Sequence, residues 1–330
     1  MKVFYSFQRR GKTSVLRTTG TGLLRWIVGP SLSILATSFV IYLALAWAPG
    51  DPVAQMLGSR STPEQRAELA RQLGLNLPVL LRYVHWLTAG LTGDLGISTA
   101  FRQPVADIIA PRIITTIGLV IYSAMFIVTI GVSLGSLGGL SRRLRPVLSG
   151  LIGLGVALPG YVVALALVSI FSVELGWFPT FGAGEGFFDR IWHLTLPAIS
   201  LATGWTAYVA QISASAVREE VDREHVMTAR ARGLPPAMIF RKHIMRNAAI
   251  PIITASGLSV AGLVAGAVVV ETAFAIDGIG SLLVKSVGAK DYSVVVAISV
   301  LIVAIFAVAN TLIDLAQSVI DPRQRKAGSV

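Results

Sequence analysis

Few residues of this sequence have the types and spacing that catalysis requires. The four histidines, His85, His193, His225 and His243, are scattered, and neither a His-Glu-x-x-His pair nor a Gly-x-x-x-x-Gly-Lys-Ser/Thr phosphate loop occurs. The chain has no cysteine, so thiol nucleophiles, disulfides and Cys-ligated metals are excluded. We therefore predict no catalytic residue, no cofactor and no metal site on this chain, and an intramembrane enzyme is disfavoured.

The polar segment 218–246 is the most strongly patterned part of the chain, with seven basic and four acidic residues. Its sequence predicts a helix with Val226, Ala229 and Arg230 on one face, ended at Gly233 by the two prolines that follow. A second short helix is expected over 237–247. A short helix between two spans is well shaped to be held by a cytoplasmic protein. An interfacial helix that rests on lipid headgroups is the alternative.

The composition of the chain indicates that membrane-crossing helices flank this segment on both sides. Of the 330 residues, 54% are hydrophobic and 14% charged, and the mean hydropathy is +0.71, which excludes a disordered chain or an ordinary cytosolic enzyme. Six uncharged stretches exceed the roughly 20 residues of a membrane-crossing helix. They are 26–50, 113–141, 146–173, 191–217, 247–270 and 292–313. The predicted fold is an all-α integral membrane protein with six transmembrane helices.

The distribution of charge predicts the orientation of these helices. The net charge is +11, and 19 of the 28 Lys and Arg residues, but only 6 of the 17 acidic residues, lie on the side of the termini. The positive-inside rule places that side in the cytoplasm. The basic clusters then contact anionic lipid headgroups, and nucleic-acid binding is disfavoured. The predicted regions are a basic tail (1–25), a first span (26–48), an extracytoplasmic helical segment (49–112), a core (113–315) that includes a cytoplasmic loop (218–248), and a cytoplasmic tail (316–330).

The extracytoplasmic segment contains its own helix signals. Thr62, Pro63 and Gln65 form a predicted capping box, and Gly74 ends that helix. A second helical stretch runs from Leu80 to Leu91. We expect a lid on the outer ends of the spans, and a docking surface for an external partner is the alternative.

A few polar residues interrupt the spans. Glu271 and Asp314 lie at span ends, where capping or pairing at headgroup level is the favoured interpretation. Gln211, Ser215 and Asn310 could line a polar pathway, or could form hydrogen bonds between helices. The Gly-x-x-x-Gly pairs predict faces of close helix packing, at Gly131–Gly135, Gly135–Gly139 and Gly262–Gly266.

Several motifs together resemble a known family. The cytoplasmic segment resembles the coupling loop, or "EAA" motif, of inner-membrane permeases of binding-protein-dependent ABC importers, in the dipeptide/oligopeptide/nickel branch. The matching motifs are Arg218-Glu219-Glu220, Thr228-Ala229-Arg230-Ala231-Arg232-Gly233-Leu234, His243, Arg246-Asn247-Ala248-Ala249-Ile250-Pro251, Ala48-Pro49-Gly50-Asp51-Pro52-Val53, Gly93-Asp94-Leu95-Gly96, Gly278-Ile279-Gly280 and Asp291-Tyr292. The resemblance extends over about 26–325 and is closest to the B permease of dipeptide systems.

This resemblance implies a type I (MetI-like) permease fold in the bacterial inner membrane. It implies a half-channel that pairs with a homologous second permease, two cytoplasmic ATPases that bind ATP and Mg²⁺, and an extracytoplasmic binding protein or lipoprotein that delivers substrate. Peptides are the expected substrate, because no span carries clustered metal ligands. Nickel, glutathione or opine-like solutes are alternatives. A secondary transporter or channel is the rival class, but it would not need a patterned coupling loop.

The resemblance also implies specific site residues. The coupling-loop residues are Glu219, Met227, Thr228, Ala229, Arg230, Arg232, Gly233, His243, Arg246, Asn247 and Pro251. Met227 and Thr228 occupy the motif's usual acidic and first alanine positions. Asp51, Asp94 and Asp277 are the expected contacts with an external partner. Asp277 departs from the family pattern, which commonly has a proline before Gly278.

Overall fold

The computed structural model describes residues 15–47, 52–58, 61–72 and 74–320. These residues are nearly all helical, and one isolated antiparallel bridge joins Ile97 and Pro104. The α-helices are α1 (Val15–Ala46), α2 (Pro52–Leu57), α3 (Pro63–Gln72), α4 (Val79–Leu91), α5 (Val105–Phe126), α6 (Val132–Leu140), α7 (Arg145–Ala157), α8 (Gly160–Leu167), α9 (Phe187–Val221), α10 (Glu224–Ala231), α11 (Pro236–Ile239), α12 (Met245–Ala273), α13 (Ile279–Gly288) and α14 (Tyr292–Ile320). Short π-helical segments occupy Ile127–Gly131, Val168–Glu174 and Phe240–Ile244.

Four helical stretches within the described residues are long and apolar enough to cross a membrane. They are Val28–Ala46, Val105–Leu140, Pro236–Ala273 and Tyr292–Ile313. They correspond to the first, second, fifth and sixth predicted spans, and a bent helix pair corresponds to the third. The fourth predicted span lies within α9, which is long enough at 35 residues but more polar than the other four. The count of six spans and the cytoplasmic termini stay predictions.

The third predicted span, 146–173, is not one straight helix. Its two halves, Arg145–Ala157 and Gly160–Glu174, meet at an angle of 100°. Leu158 is extended (φ −80°, ψ 120°), because a residue that precedes proline is disfavoured in the α conformation. The hydroxyl group of Ser200 on α9 donates a hydrogen bond to the exposed carbonyl oxygen of Gly160 at 2.9 Å. The expectation of a single continuous helix was wrong at this position.

The helix α9 lies at the centre and packs against α5, α6, α7, α8 and α12. Its neighbours approach it closely through glycine. A Cβ atom at Gly135 on α6 would overlap the carbonyl oxygen of Ala210, and one at Gly262 on α12 would overlap the ring of Trp205. The predicted Gly-x-x-x-Gly faces are thus confirmed as sites of close helix packing.

The fifth span is longer than the sequence suggested. Helix α11, the π segment and α12 form one rod over Pro236–Ala273, about 57 Å long at 1.5 Å per residue. The prediction of a separate short helix over 237–247 was wrong, because the charged residues around His243 do not interrupt the helical backbone. Pro251 lies within α12. The helical rod therefore begins at Pro236, directly after the turn at Gly233 that ends α10.

Hydrogen bonds confirm the predicted capping box and fix the segment between the first two predicted spans to the core. The backbone N–H of Thr62 donates to Gln65 Oε1 at 3.0 Å, and the backbone N–H of Gln65 donates to Thr62 Oγ1 at 3.3 Å. Further along, Asp291 at the start of α14 accepts hydrogen bonds from the Ser98 hydroxyl group at 2.5 Å and the Ala100 N–H at 3.1 Å. Asp291 and Ser98 are fully buried.

Glu271 is completely buried within the protein, and the expected role in capping a helix is confirmed. Its position at headgroup level stays a prediction. The hydroxyl group of Thr116 on α5 donates to Glu271 Oε1 at 2.5 Å, and the backbone N–H of Ser281 donates to Oε2 at 3.0 Å. The carboxylate therefore caps the first turn of α13, where the helix dipole favours negative charge. Helix α13 returns over the end of the rod and covers it. The side chain of Asp314 lies outside the described residues.

Replacing Gly135 with alanine should destabilise the helix bundle. The added Cβ would overlap the backbone of α9, and overpacking of this kind costs about 1–3 kcal/mol. We expect Gly135→Ala to lower the thermal unfolding midpoint of the purified complex, followed by tryptophan fluorescence. Gly150→Ala is the matched control, because a Cβ there meets nothing within 4 Å. Equal midpoints for the two variants would contradict the packing role of Gly135.

Candidate functional site

The coupling segment is a short helix between α9 and the rod. Helix α10 ends with the backbone N–H of Gly233 bonded to the carbonyl oxygen of Arg230 at 2.9 Å and that of Leu234 bonded to Ala229 at 3.3 Å. Gly233 has φ +71°, a left-handed conformation that glycine adopts without strain. The predicted end of the helix at Gly233 is confirmed.

One face of α10 is fixed to the membrane helices. Val226 and Ala229 are buried, at 0% and 3% exposure, and share one helix face as predicted. The prediction that Arg230 lies on the same face was wrong, because Arg230 is exposed. They pack in an apolar cluster that joins the end of α9 to α11 and the rod, formed with Val217, Ile239, Ile244, Ala248 and Ile252. Ala229 was expected to contact a partner. That expectation was wrong, because its side chain packs against its own chain.

The opposite face of α10 is exposed. Met227, Thr228, Arg230, Arg232 and Gly233 all lie on the surface. The two guanidinium groups can form charge-assisted hydrogen bonds with carboxylates of another protein. A Cβ atom at Gly233 would meet nothing of this chain within 4 Å. Of the six residues predicted for the contact over 227–233, four therefore expose side chains that a partner can contact.

Four polar residues connect α9, α10 and the rod, and we call them the loop latch: Glu220, His225, His243 and Asn247. Asn247 Nδ2 donates to Glu220 Oε2 at 3.1 Å and to the carbonyl oxygen of His243 at 3.2 Å. His225 Nε2 lies 3.4 Å from Glu220 Oε2 and 3.4 Å from the same carbonyl oxygen. Sequence reasoning did not predict these contacts of Glu220 and His225 with the rod, because His243 lies 18 residues from His225 and Asn247 lies 27 residues from Glu220.

The remaining predicted loop residues lie around this latch. Glu219 forms an exposed ion pair with Arg223 at 2.5 Å. Arg246 is exposed beside Asn247, and Pro251 is exposed one turn further along α12. These residues extend the polar surface next to α10.

The structure brings together two of the three predicted pathway residues. Gln211 and Ser215 are exposed one turn apart on α9, on the side that its neighbours leave uncovered. Asn310 lies on α14, where its amide donates to the carbonyl oxygen of Phe306 at 3.1 Å. The polar pair on α9 is therefore the stronger candidate for a pathway surface.

The predicted external carboxylates engage their own chain. Asp94 Oδ1 accepts a hydrogen bond from the N–H of Gly96 at 2.9 Å and shapes the turn after α4. Asp277 lies 3.0 Å from Lys285 Nζ and 3.7 Å from Arg112 Nη2. Asp51 lies outside the described residues.

The arrangement is suited to protein binding and movement. Among the described residues, no three His, Asp or Glu side chains are grouped to hold a metal ion. A Gly-x-Ser-x-Gly sequence at 131–135 resembles a hydrolase nucleophile motif, but it lies inside a continuous helix, whereas such motifs occupy a strand-to-helix turn. What the site offers is an exposed short helix fixed to two membrane helices.

Comparisons with known families cover most of the chain. Residues 127–326 match the family described as "Binding-protein-dependent transport system inner membrane component". Residues 21–120 match the N-terminal family of the same transport-system membrane components.

Similar full-length proteins have transport names. The chain is 32% identical over 314 residues to the "Probable peptide ABC transporter permease protein y4tP" of Sinorhizobium fredii, covering 93% of this chain and 99% of the relative. It is 34% identical over 310 residues to the "Glutathione transport system permease protein GsiC" of Escherichia coli K12, covering 92% of this chain and 99% of the relative.

Solved transporters share the fold. The inward-facing MetNI methionine ABC transporter aligns with a TM-score of 0.52 at 16% identity, covering 65% of this chain and 96% of that chain. The crystal structure of an amino acid ABC transporter with histidines aligns with a TM-score of 0.50 at 21% identity, covering 64% of this chain and 93% of that chain. This is a multi-pass protein of the inner membrane. The chain belongs to the family of binding-protein-dependent transport system inner-membrane components, as a permease subunit of an ABC importer of the dipeptide/oligopeptide type.

Proposed function

We propose that this chain forms half of a peptide pathway, paired with a homologous second permease. Two cytoplasmic ATPases bind ATP and Mg²⁺ and supply the energy, and an extracytoplasmic binding protein delivers the peptide. The chain itself is a non-catalytic subunit. The observation that carries this proposal is α10, a short exposed helix seated on the ends of two membrane helices.

The exposed face of α10 is the proposed ATPase contact. Met227, Thr228, Arg230 and Arg232 present their side chains to a cleft of the ATPase, and Gly233 lets the partner backbone approach closely. Closure of the two ATPases moves α10, and the buried side chains of Val226 and Ala229 carry that displacement to α9 and the rod.

A peptide is the favoured substrate. One relative is named as a probable peptide permease, and the other as a glutathione permease. Glutathione is itself a small peptide and is the second candidate. Gln211 and Ser215 supply donors and acceptors that suit a peptide backbone. Asp94 and Asp277 lie on the proposed docking side of the binding protein.

Uptake measurements test the substrate class. Vesicles that contain the complete transporter should take up labelled dipeptides and oligopeptides in the presence of ATP and the binding protein, with glutathione and nickel as parallel substrates. Peptide uptake that stops without ATP is the expected result. Uptake of nickel or glutathione alone, with no uptake of peptides, would overturn the peptide proposal.

Gly233→Ala should uncouple ATP hydrolysis from transport. The new Cβ projects into the space where the ATPase approaches, so we expect transport-coupled hydrolysis to fall at least about tenfold while the subunit remains in the membrane. Gly176→Ala is the matched control, since Gly176 also has a positive φ (+62°) with nothing within 4 Å, but lies outside the coupling segment. Equal losses would indicate backbone strain rather than a partner contact.

The loop latch should determine how efficiently α10 moves the membrane helices. Asn247→Ala removes two hydrogen bonds, each worth about 1 kcal/mol, and leaves the exposed face of α10 intact. We expect the ATPases to co-purify with this variant and to hydrolyse ATP, while fewer peptides are transported per ATP. Lys242→Ala, an exposed change in the neighbouring π segment, is the control. An unchanged ratio of peptide to ATP for Asn247→Ala would contradict this role.

A further inference from the structure

One face of α4 packs along the side of α1. Tyr83 is 7% exposed, and its hydroxyl group lies 2.8 Å from Ser38 Oγ and donates to the carbonyl oxygen of Leu35 at 3.2 Å. Its ring makes edge-on contacts with Phe39 and Tyr42 of α1, at centroid distances of 5.2 Å and 5.6 Å. The polar atom of Tyr83 is therefore satisfied within the protein and needs no water.

This contact lies deep along the first span. The apolar span of α1 runs from Val28 to Ala46, about 28 Å, which matches the thickness of the hydrocarbon core. Ser38 lies eight residues from Ala46, so it is about 12 Å inside the end of the span. The expected lid on the outer helix ends does not describe α4, since Tyr83 sits against the flank of the span.

The face of α4 beside Tyr83 is exposed and mostly apolar. Leu80, Leu81, Val84 and Leu91 are 61%, 48%, 43% and 81% exposed and lie within about 100° of one another around the helix. Thr88 lies among them and His85 at their edge, and the Thr88 hydroxyl group is bonded within the helix to the carbonyl oxygens of Val84 and His85. Arg82 is half-buried, and its long side chain can extend its charge toward the headgroups. An aqueous surface would not favour four large apolar side chains at this spacing.

We propose that α4 is embedded in the membrane and that this apolar face contacts lipid acyl chains. Two observations identify lipid as the occupant. The depth of Ser38 places the contact within the hydrocarbon layer, and the exposed apolar residues of α1, Leu32 and Val40, continue the same kind of surface on the adjoining helix. The charged helix α3, with Glu64, Glu68 and Arg71, remains in the aqueous phase. Helix α4 thus anchors the 49–112 segment to the bilayer beside the first span.

Because this chain has no cysteine, spin labels can be attached at single introduced cysteines once any cysteines of the partner subunits have been replaced. Single variants Leu81→Cys, Val84→Cys and Leu91→Cys are labelled in the complete transporter in lipid vesicles, with Ala67→Cys on the exposed side of α3 as control. Collision rates are measured with oxygen, which concentrates in hydrocarbon, and with a polar nickel complex, which stays in water. ATP-dependent transport by each variant verifies its fold.

At the α4 sites, we expect the ratio of oxygen to nickel-complex collisions to exceed that at Ala67→Cys by about tenfold or more, because a polar complex is excluded from hydrocarbon. Two outcomes would overturn the proposal. Nickel accessibility equal to that of Ala67→Cys would place α4 in water. Protection from both reagents at all three sites would show that a protein partner covers the face.

Discussion

Close contact between helix backbones is the interaction on which this structure depends. In a bilayer, apolar side chains gain nothing by leaving lipid for protein, so helices associate through tight packing and hydrogen bonds. Gly135 and Gly262 provide that packing for the central helix α9, at the backbone of Ala210 and the ring of Trp205. Because other helices cover α9, it can be more polar than the lipid-facing spans. Its uncovered side is then free to carry Gln211 and Ser215.

The rod that packs on α9 carries a polar network at each end. Asn247 belongs to the loop latch, and Glu271 caps α13 from a fully buried position. Both residues lie on α12, 24 positions apart, or about 36 Å along a continuous helix. A buried carboxylate is tolerated only with good partners, so Thr116 and Ser281 also fix α5 and α13 to that end of the rod. The rod is thus a continuous helical connection between α10, at the loop latch, and α13, at the end that Glu271 caps.

Sequence reasoning succeeded where a feature depends on residues within one or two turns. The capping box at Thr62, the turn at Gly233 and the small-residue faces follow from such local rules. It failed where the conformation of a residue depends on packing against residues far away in the sequence. Pro159 breaks its span while Pro251 is accommodated within α12, because neighbouring helices determine whether the freed backbone groups find partners. The loop latch and the burial of Glu271 depend on partners far along the chain, so no local sequence pattern predicts these contacts.

The glycines Gly278 and Gly280, at the end of the fifth span, are required by close packing that does not involve the neighbouring Asp277. Gly278 has φ −113°, so its backbone does not require glycine, but a Cβ there would overlap the carboxyl group of Glu271. A Cβ at Gly280 would lie 2.5 Å from Val268 Cα on the rod. Both glycines are therefore required by the close approach of α13 to α12. Asp277, at the position where the resemblance predicted a proline, is exposed and pairs with Lys285 on the outer side of this contact. Its substitution leaves the buried cap intact, because the cap depends on Glu271 and on the space that the two glycines provide.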